Sequence, residues 1–242
     1  MCELAIVETH APAPNKESSS VKRIIPAAVF FLWWSGSLFV AAGRLDWIRG
    51  WISVALSVVG MTAVRVIVQH YNAPLLEARA KWHHKDAKFF DKVFLAVCLL
   101  LISIQPAIGG LDAVRYEWTS MPFALVYVGT VLFALALFVI TWAAVVNPFA
   151  ETSVRIQTDR GHTVVTSGPY RFVRHPMYVG AILMYLSTPL ILGSGWALGL
   201  GALIMTLFIW RTGLEDRTLR QELAGYEQYA ATTRYRLVPG LW

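Results

Sequence analysis

Apolar runs of about twenty residues recur along this chain, and each is closed by charged, aromatic or proline-containing residues. At 1.5 Å per residue such a run crosses roughly 30 Å of hydrocarbon. In a bilayer the backbone must satisfy its own hydrogen bonds, so long apolar runs of this kind become helices. Ile24 to Ala42, Trp51 to Val68, Val93 to Gly110 and Met121 to Val146 are four such spans. Met177 to Arg211 is too long for one span, and Gly193-Ser194-Gly195 divides it into two helices joined as a tight hairpin. The expected fold is therefore an all-α integral membrane protein of about six hydrophobic helices.

Composition agrees: of 242 residues, 56% are hydrophobic and 15% charged, too apolar for an ordinary soluble domain. The formal charge of +6 is explained by basic residues in the loops, which argues against a nucleic-acid partner. Cys2 and Cys98 cannot make a disulfide framework or a cysteine-based metal site, and no metal is expected. His83 and His84 are adjacent, so on a helix they point about 100° apart and read as loop histidines.

Residues 1–20 are polar, rich in Pro and Ser, and expected to form a disordered tail without signal-peptide character. Membrane helices then occupy 21–146, with 70–92 as an interfacial helix or charged loop. Arg65 reads as a snorkelling side chain near a span end. Gln105-Pro106 marks a candidate kink, and Asn147-Pro148 stops the fourth span. With the N-terminus inside, Lys22, Arg23, the 79–92 cluster, the 155–174 arginines and the basic tail share one side. Only Arg44, Arg49 and Arg115 fall on the other. This is the positive-inside pattern, and it predicts cytoplasmic termini.

One polar segment resists that scheme. GHTVVTSGPYRFVRHPMYVG, from Gly161 to Gly180, places two Tyr, two His, two Arg and two Pro between long apolar runs. Irregular backbone is tolerated near the membrane only where protein covers it or a polar cavity receives it, so a ligand pocket is the leading explanation. Headgroup contact is the competing reading for Arg171 and Arg174. Further on, Arg211 and Glu215 are four residues apart and share one helix face, either as a surface charge pair or as site residues at the mouth of a span.

HTVVTSGPYRFVRHPMYVG, followed by WRTGLEDRTL, GYEQY and a final RYRLVPGLW, resembles the isoprenylcysteine carboxyl methyltransferase family of integral membrane enzymes. More distantly it is similar to the phospholipid N-methyltransferases. The similarity covers roughly residues 145–242 and implies a methyltransferase core at 147–242 using S-adenosylmethionine in a cytoplasmic pocket. The resemblance implies that Gln157, His162, Thr163, Val164, Val165, Tyr170, His175, Pro176, Met177, Tyr178 and Glu215 surround this cofactor. It implies that Arg211 faces a substrate carboxylate, with Arg211 and Glu215 as the catalytic pair and Asp216 in place of a second glutamate. The implied partners are a lipophilic or lipidated acceptor and membrane lipids, in a bilayer such as the bacterial inner membrane. An isoprenylcysteine-type carboxylate, already ionised, needs no general base. A phospholipid amine would need one, such as His175 or Glu215. A small transporter or scaffold gated by Arg174, Arg211 and Glu215 is the non-enzymatic alternative. A membrane reductase is a third, although no G-x-G-x-x-G segment is present.

Overall fold

The computed structural model describes residues 16–80 and 87–242. Its helices are α1 (Lys16–Ala42), α2 (Ile48–Tyr71), α3 (Ala73–Ala80), α4 (Phe89–Gly110), α5 (Leu125–Val146), α6 (Pro176–Leu192), α7 (Gly195–Glu222) and α8 (Tyr226–Thr232). There is no strand among the described residues. Among the described residues, four helical stretches are long and apolar enough to span a bilayer: α2, α4 with the wider turn Leu111–Arg115 that extends it, α5 and α7. Ala28–Ala42 and α6 are shorter apolar helices. The protein is an all-α integral membrane protein.

Neighbours in space are only partly neighbours in sequence. The principal contacts run α1 to α4, α4 to α7, α7 to α6, α6 to α5 and α5 to α2. The tightest of them, α5 on α6, depends on small residues. A Cβ at Gly129 would come within 2.9 Å of the Ser187 carbonyl, and one at Gly180 within 2.9 Å of the Ala136 carbonyl. Each helix thus offers the other a bare stretch of backbone, the usual solution where lipid supplies no hydrophobic drive to pack. α6 also contains Pro189, which cannot donate to the carbonyl of Tyr185. Gln105 of α4 supplies that bond from Nε2 at 3.2 Å and donates also to Ala197 at 3.1 Å. The helix α4 continues through Pro106 without interruption.

The hairpin between α6 and α7 forms at the expected place. Gly193 takes φ +82°, open to glycine, and the Ser194 hydroxyl accepts the Ala197 N–H to cap α7. At the opposite side of the protein, cross-links gather the other helix ends. Asn72 donates to the Ala144 carbonyl at 2.7 Å, Arg79 of α3 to Ala150 at 2.9 Å, and the Val154 N–H to Asp91 at 2.7 Å. The end of α2 is thereby tied to the end of α5, and the connection 147–175 to α3 and α4.

Several boundaries differ from expectation. Residues 16–20 are helical and belong to α1, because the polar segment continues the apolar helix behind it; residues 1–15 lie outside the described residues. His83 and His84 also lie outside them. The fourth span starts at Leu125, after a turn at 121–124, and the 70–92 region is split between the end of α2, the short α3 and the start of α4. α7 runs unbroken past Arg211 to Glu222, so Arg211 and Glu215 lie on a membrane helix and not on a separate C-terminal one. The separate helix is α8, which begins after Gly225 at φ +82°. Arg65 is exposed on α2, as a snorkelling side chain requires.

Candidate functional site

The connection between α5 and α6 folds as a cup. Asn147 leaves the helix in an extended conformation, and its Oδ1 accepts the Phe149 N–H at 2.8 Å. Arg155, which is buried, then pulls the cup closed. Its guanidinium meets Glu151 at 3.0 Å and Asp159 at 2.7 Å, and hydrogen bonding to Asp159 and then Glu151 raises its pKa above the usual arginine value. Arg160 joins this group at Glu151 and donates to the Gln157 side-chain oxygen at 2.7 Å. Gln157 Nε2 donates to the Phe149 carbonyl at 2.7 Å. Both ends of Gln157 thus brace the cup.

Tyr170 follows in the short turn Gly168–Arg171 and is buried, which pushes its phenol pKa upward. Its carbonyl accepts the Tyr229 hydroxyl of α8 at 2.7 Å. Arg174 and His175 then run extended beside the C-terminal segment, donating their backbone N–H groups to Tyr235 and Arg236 at 2.9 Å each. Pro176 starts α6, where its missing N–H is harmless.

Tyr178 of α6 and Glu215 of α7 meet here, the phenol donating to the carboxylate. Arg211, one turn before Glu215, is buried, with Nε 2.8 Å from Asp91 and Nη2 2.7 Å from the Thr152 carbonyl. Its guanidinium also lies over the Phe94 and Tyr178 rings, at 4.6 and 5.0 Å. A surface charge pair is thereby excluded: the ionic partner of Arg211 is Asp91, on another helix.

These groups line one cleft of about 800 Å³, its open mouth included, within the range of small-molecule sites. Of the residues expected at the cofactor, Gln157, His162, Thr163, Val164, Val165, Tyr170, His175, Met177, Tyr178 and Glu215 line it, as does Arg211. Pro176 is buried beside it but does not. His162 packs on Phe149 with ring centres 4.7 Å apart, and burial holds its pKa below the ordinary histidine value. Tyr226, Tyr229, Leu219 and Leu223 close the apolar wall.

Asp216 stands elsewhere. One residue after Glu215 it projects about 100° around the helix, away from the cleft and into a buried ionic centre. Arg174 holds it with two bonds of 2.6 and 3.0 Å, Arg236 with one of 3.0 Å, Arg220 with one of 3.3 Å, and the Tyr226 hydroxyl with one of 3.0 Å. Arg174 also donates to the Thr233 and Arg234 carbonyls. It is therefore a buried structural cation, and the headgroup reading fails for it; Arg171 remains exposed. His175 stands between the two regions, stacked on Tyr178 at 5.6 Å. Its Nε2 is buried without a hydrogen-bond partner, 3.5 Å from Asp216.

Sequence reasoning missed Asp91, Glu151 and Arg155. A lone acid at the start of an apolar span was the available signal for Asp91. The spacing Glu151, Arg155, Asp159 was visible too, but the segment is not helical and the spacing alone had no geometric meaning.

The acid Glu215, aromatic rings and an apolar wall make a cleft suited to a ligand with a positive centre and a flat ring. The family model described as phospholipid methyltransferase matches residues 124–224, which run from the start of α5 to the end of α7 and include Tyr178, Arg211 and Glu215. No curated protein matches the chain.

Proposed function

We propose, from the match of residues 124–224 to the family model described as phospholipid methyltransferase, that this membrane protein is a methyltransferase that transfers methyl from S-adenosylmethionine to a lipophilic carboxylate. The meeting of Tyr178 and Glu215 beside Arg211 carries this reading, because it joins two helices and the 147–175 cup around one charged cleft. When bound there, S-adenosylmethionine supplies a methyl group activated by a sulfonium. Glu215, oriented by the Tyr178 phenol, balances that positive charge. Phe149, Tyr170 and the 162–165 segment provide the ring and apolar surfaces for the nucleoside. Glu151 offers no free charge of its own, being shared between Arg155 and Arg160.

Arg211 orients the acceptor. Asp91 and the Thr152 carbonyl fix its Nε and Nη2, so the guanidinium presents its remaining N–H groups from a fixed position. A carboxylate anchored there needs no proton removed, and alignment alone is worth up to roughly 7–11 kcal/mol in favourable cases. The family description favours a second reading, an aminophospholipid acceptor, for which His175 or Glu215 would take the proton.

Labelled methyl transfer with the purified protein separates the two. Given S-adenosylmethionine and either a farnesylcysteine analogue or phosphatidylethanolamine, the first should be labelled and the second not; the reverse outcome selects the second reading. Arg211→Lys should keep the charge against Asp91 and the cofactor affinity while lowering turnover of the carboxylate. Glu215→Ala should weaken cofactor binding itself. Equal loss of cofactor affinity in both variants contradicts these roles.

A further inference from the structure

The face of α7 that turns away from the cleft forms a second recess. Along it, Leu203, Trp210, Gly213 and Arg217 repeat at helical spacing, so one stripe passes from apolar, through an aromatic ring, to a cation. Leu203 and Trp210 are nearly half exposed. Trp210 is where the apolar part of the helix stops, the level at which indole rings sit at a bilayer surface. Just beyond it, Gly213 leaves the floor open: a Cβ placed there would meet nothing within 4 Å. Arg217 and Arg220 of α7 and Arg236 of the C-terminal segment wall the recess, which holds about 740 Å³ with its mouth.

Its charge is not balanced. Arg220 and Arg236 each spend Nε on Asp216, and Arg220 spends Nη1 on Glu227. Asp216 is also bound by Arg174, so one carboxylate serves three guanidinium groups. Arg236, whose guanidinium also lies over the Trp242 ring at 4.9 Å, and Arg217, which is exposed, line the recess together with Arg220 and Asp216. Three arginines around a glycine floor, directly beyond an interfacial tryptophan and an exposed apolar stripe, match a phosphodiester with acyl chains attached.

We propose that this recess binds the headgroup of an anionic membrane phospholipid, phosphate against Arg217, Arg220 and Arg236 and acyl chains along Trp210 and Leu203. The site is separate from the methyl-transfer cleft, on the opposite face of the same helix. The two are nevertheless linked through Asp216, since Arg174 is its third cation and the Arg174-His175 backbone forms a wall of the cleft. An anion that draws on Arg220 and Arg236 alters the balance of charge around that shared carboxylate.

Native mass spectrometry of the purified full chain in detergent, with added phosphatidylglycerol, tests the proposal. The wild-type protein should retain one phosphatidylglycerol and hold phosphatidylcholine of the same acyl length more weakly. Arg217→Gln should lower retention roughly fivefold, the attraction of one basic residue near an anionic surface. Gly213→Leu keeps every charge and fills the floor from a Cβ that meets nothing within 4 Å, and it should lower retention at least as much. Wild-type retention in either variant overturns the proposal, as does equal binding of the two lipids. Displacement by millimolar inorganic phosphate as effective as by added lipid would show a free-anion site instead and also overturn it. The readout is lipid bound, so the result stands or falls apart from any methyl-transfer assay.

Discussion

The two ends of α7 each bury an aspartate without solvent exposure and satisfy it by opposite means. At the start of the helix, Asp112 accepts from the Ser194 hydroxyl at 2.6 Å, the Thr119 hydroxyl and N–H at 2.8 Å, and the Trp196 N–H at 3.1 Å. Every one of these donors is neutral. Backbone N–H groups of a first turn have no partner within their helix, so they and nearby hydroxyls can hold a carboxylate alone. Towards the far end, Asp216 lies where the helix has used its own N–H groups, and only side chains remain. Arg174, Arg220 and Arg236 reach it from three separate segments. The first arrangement closes a turn locally; the second makes the wall of the cleft depend on distant parts of the chain.

The largest expected effect follows from that dependence. Asp216→Ala leaves Arg174 buried without its carboxylate, and removing one partner of a buried ion pair costs roughly 3–5 kcal/mol. Thermal unfolding in detergent should show this loss together with loss of cofactor binding. Asp112→Ala should cost less, about 1–3 kcal/mol for donors left unsatisfied, and should leave cofactor affinity close to wild type. If Asp112→Ala proves the more damaging, or disturbs the cofactor as much, the contrast between local and distributed construction is broken.

The same contrast explains what could be read from the chain. Helix ends set by local chemistry were legible: Asn147-Pro148 ends α5, and Gly193-Ser194-Gly195 makes the α6–α7 turn where expected. About half of the cleft's lining was legible, because HTVVTSGPYRFVRHPMY contributes many of those residues in one piece. Asp91 was not, since it meets Arg211 across 120 positions and nothing local marks the pair. Asp216 was misplaced for a different reason. Adjacent to Glu215 in sequence, it looked like half of an acidic pair, yet neighbouring residues on a helix face different surroundings. The apolar run ends at Arg211 as expected, but the helix does not: buried partners for Arg211 and Asp216 let α7 continue to Glu222.

Tyr178→Phe sharpens the account of the cleft itself. The substitution removes the hydrogen bond to Glu215 while keeping the ring against His175, Phe208 and Arg211. Glu215 then gains freedom to turn, and a hydrogen bond to a charged group is worth about 1.5–3 kcal/mol. Binding measurements should show S-adenosylmethionine affinity falling by roughly tenfold, with a fall of a few degrees in the unfolding temperature. An unchanged affinity would mean that Tyr178 does not orient Glu215.

The smallest expected effect is a pH response confined to the cup. His162 is held neutral because burial disfavours the imidazolium, so its folded pKa lies below the ordinary histidine value. Its Nδ1 also accepts the Gln157 N–H at 3.4 Å, which a protonated ring cannot do. As pH falls below about 6.5, the unfolded or opened segment takes up the proton first, and the closed cup loses stability until the lowered folded pKa has been passed. Above that window both states are neutral and the contribution is constant. The hydroxyls and N–H groups around Asp112 do not titrate there. Hydrogen exchange compared between pH 7.5 and pH 5.5, corrected for intrinsic rates, should therefore quicken over residues 149–165 and stay level at 193–197. In His162→Phe, where the ring still packs on Phe149 and carries no proton, the difference at 149–165 should vanish. A response that survives this substitution would rule out His162 as its source.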